Sequence, residues 1–201
     1  MRLGIGVFAL VLAGCISSPE TRYYSLVSVA SGHPTIISGR PMQVFHVTIP
    51  ATLDRESLVE WAGSGELKIS SRDRWAGPLD DMIQAVLAGD LRERLPGMVV
   101  LPGDPAPPGD SRGVVINVRH FAAENGQHVV LLADWSLTSG QPRVAVLNRS
   151  EVIEIPLSSD RTSDVVSAMS HALGMLSDRI AKAVIAAERP GDGGREAVGT
   201  R

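Results

Sequence analysis

Between Val114 and Ile155 the chain carries three long segments of strand character, Val114 to Ala122, His128 to Thr138 and Arg143 to Ile155, parted only by short turns. Asn125-Gly126 joins the first two and Ser139-Gly140 the next two. Asn-Gly between alternating apolar runs is the strongest short hairpin signal, because a two-residue type I′ turn needs positive φ at both central positions. Three strands joined this tightly can only form an antiparallel meander, with one face buried and one face in water. A two-residue turn would set Ala123 opposite His128 and His120 opposite Leu131. Trp135 then shares a face with Val129, Leu131, Ala133 and Leu137, so it reads as core.

A meander with one apolar face needs a cover, and the sequence supplies two helices. Leu79, Met82, Ile83, Val86, Leu87, Leu91 and Leu95 recur at helical spacing. Pro78 fits the first helical position, Asp80 and Asp81 the first turn, Arg92 and Arg94 the last, and Pro96-Gly97 the stop. The second helix runs from about Ser163 to Glu188, with Val165, Val166, Met169, Leu173, Leu176, Ile180, Val184 and Ala187 as its stripe and Thr162 or Ser163 as its cap. Upstream, Tyr23 to Val27 and Met42 to Ile49 read as strands. In the latter, Met42, Val44, His46 and Thr48 alternate with Gln43, Phe45, Val47 and Ile49. Leu58 to Trp61 and Glu66 to Ile69 flank Gly63-Ser64-Gly65 as a small hairpin, and Met98 to Leu101 is a short strand before the Pro-rich loop 102–110. The expected fold class is α+β: an antiparallel sheet, two amphipathic helices packed on it and a separate small hairpin.

The ends carry different information. Arg2, an apolar run from Leu3 to Leu12 and then Leu12-Ala13-Gly14-Cys15 form a secretory signal closed by a lipobox. The run is shorter than the ~20 residues needed to span a bilayer. Cys15 is the only cysteine, so lipidation accounts for it and no disulfide within the chain can support the fold. The expected organisation is a signal peptide over 1–14, a lipidated tether over 15–22, one domain over 23–188 and a Gly-rich, disordered tail over 189–201. A net charge of -3 offers neither nucleic acid nor an anionic bilayer an electrostatic partner.

No G-x-S-x-G elbow, P-loop or H-E-x-x-H is present. His33, His46, His120, His128 and His171 are scattered, and the register above does not pair His120 with His128, so no metal set is expected. Asp80 and Asp81 are neighbours on a helix, pointing in different directions, and helix-start electrostatics explain them. Trp61 and Trp75 fit core packing or a ligand site, with a staple-like packing role favoured for Trp75 at a helix start. No catalytic residue and no cofactor is expected.

Four segments in order carry a resemblance: Cys15; Arg22-Tyr23-Tyr24-Ser25-Leu26; Val47-Thr48-Ile49-Pro50 with Leu53-Asp54-Arg55 after it; and Arg74-Trp75-Ala76-Gly77-Pro78-Leu79. Together they resemble the ABC-type transport auxiliary lipoproteins, and among these the lipoprotein subunits of membrane-integrity transport systems. The resemblance implies an outer-membrane-anchored subunit of an envelope lipid transport system. Its implied partners are an MCE-domain protein and inner-membrane transporter components, the membrane itself through the lipid anchor, and further copies in a ring. Ile16 follows the cysteine, where Asp would hold an enteric lipoprotein at the inner membrane. Leu53, Asp54, Arg55, Trp75 and Ala76 lie in connections, where recognition residues sit on a scaffold, and they read either as partner contacts or as markers of the fold. A periplasmic lipid- or solute-binding lipoprotein with a pocket between sheet and helices is the alternative, and an envelope hydrolase a third class.

Overall fold

The computed structural model describes residues 20–29, 34–63, 65–105, 111–140 and 142–188. The signal region, Cys15 and the 189–201 tail lie outside them. The described elements are β1 (Arg22–Tyr24), β2 (Met42–Thr48), β3 (Ser57–Trp61), β4 (Leu67–Trp75), α1 (Leu79–Arg94), β5 (Val99–Val100), β6 (Arg112–Glu124), β7 (His128–Ser139), β8 (Val144–Pro156) and α2 (Thr162–Glu188). Among the described residues, no helix is long and apolar enough to cross a membrane.

The meander forms as its turns demand. β6, β7 and β8 pair antiparallel along nearly their whole lengths. Asn125 and Gly126 take φ of 51° and 63°, and the Gln127 N–H donates to the Glu124 carbonyl at 3.0 Å. The ladder nevertheless resumes at Glu124↔His128, so Gln127 is an extra loop residue and the expected register slips by one near the turn. An irregularity between Val118 and His120 leaves Arg119 without a ladder partner and restores the two-residue register from Val118↔Ala133 onward.

The sheet as a whole is not purely antiparallel. It is one mixed eight-stranded sheet in which β6 also runs parallel to β2 and to β3, β2 parallel to β5, and β1 parallel to β4. Strands joined by tight turns, β3–β4 and β6–β7–β8, turn back on each other, whereas β2 and β6 are separated by a long connection containing α1, which allows them to run the same way. The small hairpin β3–β4 is likewise part of this sheet, joined through Glu60↔Ala123 and Trp61↔Glu124.

One core lies between sheet and helices. Val114, Ile116, Val118 and Phe121 of β6 and Val129, Leu131, Ala133, Trp135 and Leu137 of β7 bury against Ile83, Leu87 and Leu91 of α1 and Leu173, Leu176 and Ile180 of α2. A second bulge, between Val44 and Val47 in β2, interrupts strict alternation. Met42, Val44 and Val47 are all buried, while His46 and Thr48 are exposed. Pro78 caps α1 rather than opening it, and the helix starts at Leu79. At α2 the first N–H groups reach back to the Arg161 carbonyl, and Thr162, the first helical residue, spends its hydroxyl elsewhere.

Strand β1 stops at Tyr24 instead of running on to Val27, because the next residues bind the helices. The Val27 N–H donates to Ser170 Oγ at 3.2 Å. The Ser28 hydroxyl and the Val29 N–H donate to the carboxylate of Asp90, which is fully buried in α1 and also receives Ser177 of α2 at 3.3 Å. Arg94, one turn further along α1, donates to Asp178 at 2.6 Å and to the Gly174 carbonyl at 3.1 Å. Burial raises the pKa of Asp90; the Ser28 hydroxyl and the Arg94 guanidinium oppose it only in part.

Candidate functional site

Three of the segments that carry the family resemblance, those that begin at Arg22, Val47 and Arg74, are apart in the chain and meet in space. After Pro50 the chain turns tightly: the Leu53 and Asp54 N–H groups donate to the Pro50 carbonyl at 2.8 and 3.3 Å, and the Arg55 N–H to the Leu53 carbonyl at 2.8 Å. Leu53 is 2% exposed and anchors this turn in the core, while Asp54, Arg55 and Glu56 project outward. Two backbone bonds then stitch the end of β4 between its neighbours. The Trp75 N–H donates to the Glu56 carbonyl at 2.7 Å, and the Ala76 N–H to the Tyr24 carbonyl at 2.8 Å. Tyr23 pairs with Arg74 across the parallel β1–β4 ladder and is 68% exposed.

The result is a surface groove of about 410 Å³ lined by Tyr23, Asp54, Arg55, Glu56 and the run Trp75 to Leu79. The residues singled out from sequence divide into two roles. Leu53 and Trp75 face the core and hold the groove's shape, whereas Asp54, Arg55 and Ala76 are exposed at its rim. Glu56, which no motif marked, completes the wall and meets Arg74 at 3.4 Å. Only its position directly after Leu53-Asp54-Arg55 could have drawn notice. A phenol, a guanidinium and two carboxylates around a small apolar floor suit recognition of a polypeptide segment or a polar headgroup, and no nucleophile lies beside a base among these lining residues.

Two residues before Trp75, Asp73 fixes the edge of the sheet. It accepts from Arg22 Nε at 2.9 Å, from Ser70 Oγ at 3.1 Å and from Thr162 Oγ1 at 2.9 Å. A second, smaller hollow of about 200 Å³ is lined by residues including Val59, Ile69, Asp73 and Thr162.

Asp80 and Asp81, expected to point apart, are drawn together with His46, their ligand atoms within 4.8 Å of one another. His46 Nε2 stands 3.4 Å from Asp80 Oδ2, on a side chain 68% exposed. The positive end of α1 opposes a cation at this place, so the helix-start reading of the two aspartates stands.

An α+β domain with a mixed sheet, two helices on one core and a rim groove defines the class of protein, and known proteins define the family. The profile of the ABC-type transport auxiliary lipoprotein component matches residues 24–181. The chain is 30% identical over 137 residues to the intermembrane transport lipoprotein PqiC of Escherichia coli (strain K12), a match covering 66% of this chain and 72% of that one. The PqiC of Shigella flexneri matches equally. Among solved structures, protein XCC0632 from Xanthomonas campestris superposes with a TM-score of 0.65 at 16% identity, covering 84% of this chain and 98% of its own. An uncharacterized protein superposes at 0.70 with 22% identity, over 83% and 99%. This chain belongs to the ABC-type transport auxiliary lipoprotein family.

Proposed function

We propose that this chain is the lipid-anchored, outer-membrane subunit of an MCE-type envelope lipid transport system, and that it works by docking the transport tube rather than by turnover. The observation that carries the reading is the convergence of Tyr23, Asp54-Arg55 and Trp75-Ala76 on one groove in a member of this family. Motif residues needed only for folding have no reason to surround a shared exposed rim. Cys15 is the anchor, as part of a lipobox. From Cys15 to Arg22 the chain spans at most roughly 25 Å at ~3.5 Å per residue, so the tether holds the groove close to its membrane. A ring of copies would make the contact to a tube multivalent, so that weak single contacts add up. No cofactor takes part in this reading.

The experiment is co-purification of the lipidated protein from membranes, with the captured partners identified, for the native chain and for Arg55→Glu. Arg55 is exposed, so its reversal leaves the fold intact while inverting the rim charge. Capture of an MCE-domain protein by the native chain, lost in Arg55→Glu at unchanged Tm, supports the proposal. Failure to capture such a partner, together with additive membrane-stress defects when both genes are deleted, sinks it.

A further inference from the structure

The sheet ends at one side on β8. Among the described residues β8 pairs only with β7, so its far edge lies open over a strand of 13 residues. The Leu157 N–H donates to the Gln127 carbonyl at 2.8 Å, the next rung after His128↔Pro156. Backbone groups alternate in direction along a strand. The odd-numbered residues from Leu147 to Ile155 therefore turn theirs toward β7, and the even-numbered ones from Asn148 to Glu154 turn theirs outward. The Val152 carbonyl accordingly accepts from Arg179 Nη1 of α2 at 3.2 Å. Pro156, outward in the same alternation, has no N–H to leave unpaired. Val144, Val146 and Val152 are each more than half exposed. A long edge with exposed apolar side chains is a template for another strand.

The order of residues along β8 says which strand fits. An antiparallel partner that continues both faces of the sheet can be related to β8 by a two-fold axis perpendicular to it. With that axis at Ser150, Arg149 lies opposite the partner's Glu151 and Leu147 opposite the partner's Ile153, and each pairing occurs twice. Within its own chain Arg149 is exposed and has no acidic partner among the described residues. Glu151, held by Arg179 at 2.5 Å, would stand between that guanidinium and the partner's Arg149. Moving the axis by one residue sets Arg149 on its own copy or Glu151 on its own copy, and like charges directly opposite are destabilising. Charges that only guard an edge need no such order. The helices leave room: α2 packs over β7 and β8, so the two copies of α2 would lie two strand spacings apart, about 9.5 Å, an ordinary helix packing distance.

We propose that β8 is a homodimerisation edge, on which a second copy of this chain pairs antiparallel along residues 147–153 about a two-fold axis at Ser150. The sheet then runs unbroken through both copies. The contact uses the end of the sheet opposite to β1 and the groove, so it does not rest on the docking reading.

The test is oxidative cross-linking of the full chain in its own membranes. Ser150→Cys puts two thiols on the axis, at a Cα separation of about 5.5 Å that a disulfide spans. Asn148→Cys, equally exposed, puts them about 13 Å apart, beyond its reach. Ser150→Cys should give a disulfide-linked dimer of this chain and Asn148→Cys none; Cys15 is common to both. Adding Arg149→Glu to Ser150→Cys should weaken pairing by at least about tenfold, read as slower cross-linking at unchanged Tm. Mixing that chain with one carrying Glu151→Arg and Ser150→Cys should restore the cross-link between the two, because each reversed charge then meets its opposite. Equal cross-linking at positions 148 and 150 overturns the proposal. So does indifference to Arg149→Glu, failure of the mixture to recover, or capture of a different protein at position 150.

Discussion

Thr162 donates its hydroxyl to Asp73 at 2.9 Å, joining the first turn of α2 to the last residues of β4. The same carboxylate receives Arg22, the first residue of β1, so one buried aspartate ties the edge strand, β4 and the second helix together.

Asp73 makes stability pH-dependent. Burial by itself would raise its pKa, but the hydroxyls of Thr162 and Ser70 and the Arg22 guanidinium outweigh it and hold the carboxyl below its ordinary 3.8. A depressed folded pKa means that the unfolded chain takes up the proton first. The contribution is therefore present above pH 3.8 and lost as pH falls through the lower, folded value. Asp73→Asn should cost about 1–3 kcal/mol at neutral pH, mostly through the hydroxyl bonds, since Arg22 is half exposed and screened. Denaturant melts across pH should show the gap to the native chain closing on the acid side; a gap independent of pH would remove Asp73 from this role.

Leu176 is fully buried in the α2 stripe, against the sheet. Leu176→Asp places a carboxylate in an apolar contact at a cost of several kcal/mol. Leu176→Ala leaves a cavity worth about 2–5 kcal/mol. The first should abolish soluble folded protein and the second should lower Tm. An unchanged Tm for Leu176→Ala would mean that this face is not core.

Gly113 has no room for a side chain. A Cβ there would fall well inside contact distance of the Phe45 ring and 2.6 Å from Thr138 Oγ1. Phe45 cannot withdraw freely, because the Arg143 guanidinium sits 4.4 Å over its ring. Gly113→Ala should destabilise by about 1–3 kcal/mol through overpacking, measured by thermal melting. A neutral result would show that the ring gives way at no cost.

Cys15→Ala removes the residue that the lipobox reading makes the anchor. The variant should accumulate as uncleaved or soluble protein and no longer partition with envelope membranes on fractionation. Full retention with the outer membrane would overturn the anchor.

What the sequence by itself determined is what repeats locally. The apolar periods of α1 and α2, the charges at the ends of α1 and the turn residues of the β6–β7–β8 meander act over a few residues, and the structure places each element within a few residues of its expected position. Four motif segments were enough to point to the family that the relatives then showed. Only tertiary structure decided the rest. The parallel pairings of β6 with β2 and β3 depend on how long connections return to the sheet, which no local pattern encodes. The bulges at Arg119 and between Val44 and Val47 depend on the fit of neighbouring strands, and they decide which residues face the core. The groove follows from the same cause: backbone bonds from Trp75 to Glu56 and from Ala76 to Tyr24 bring together segments 19 and 52 residues apart in the chain.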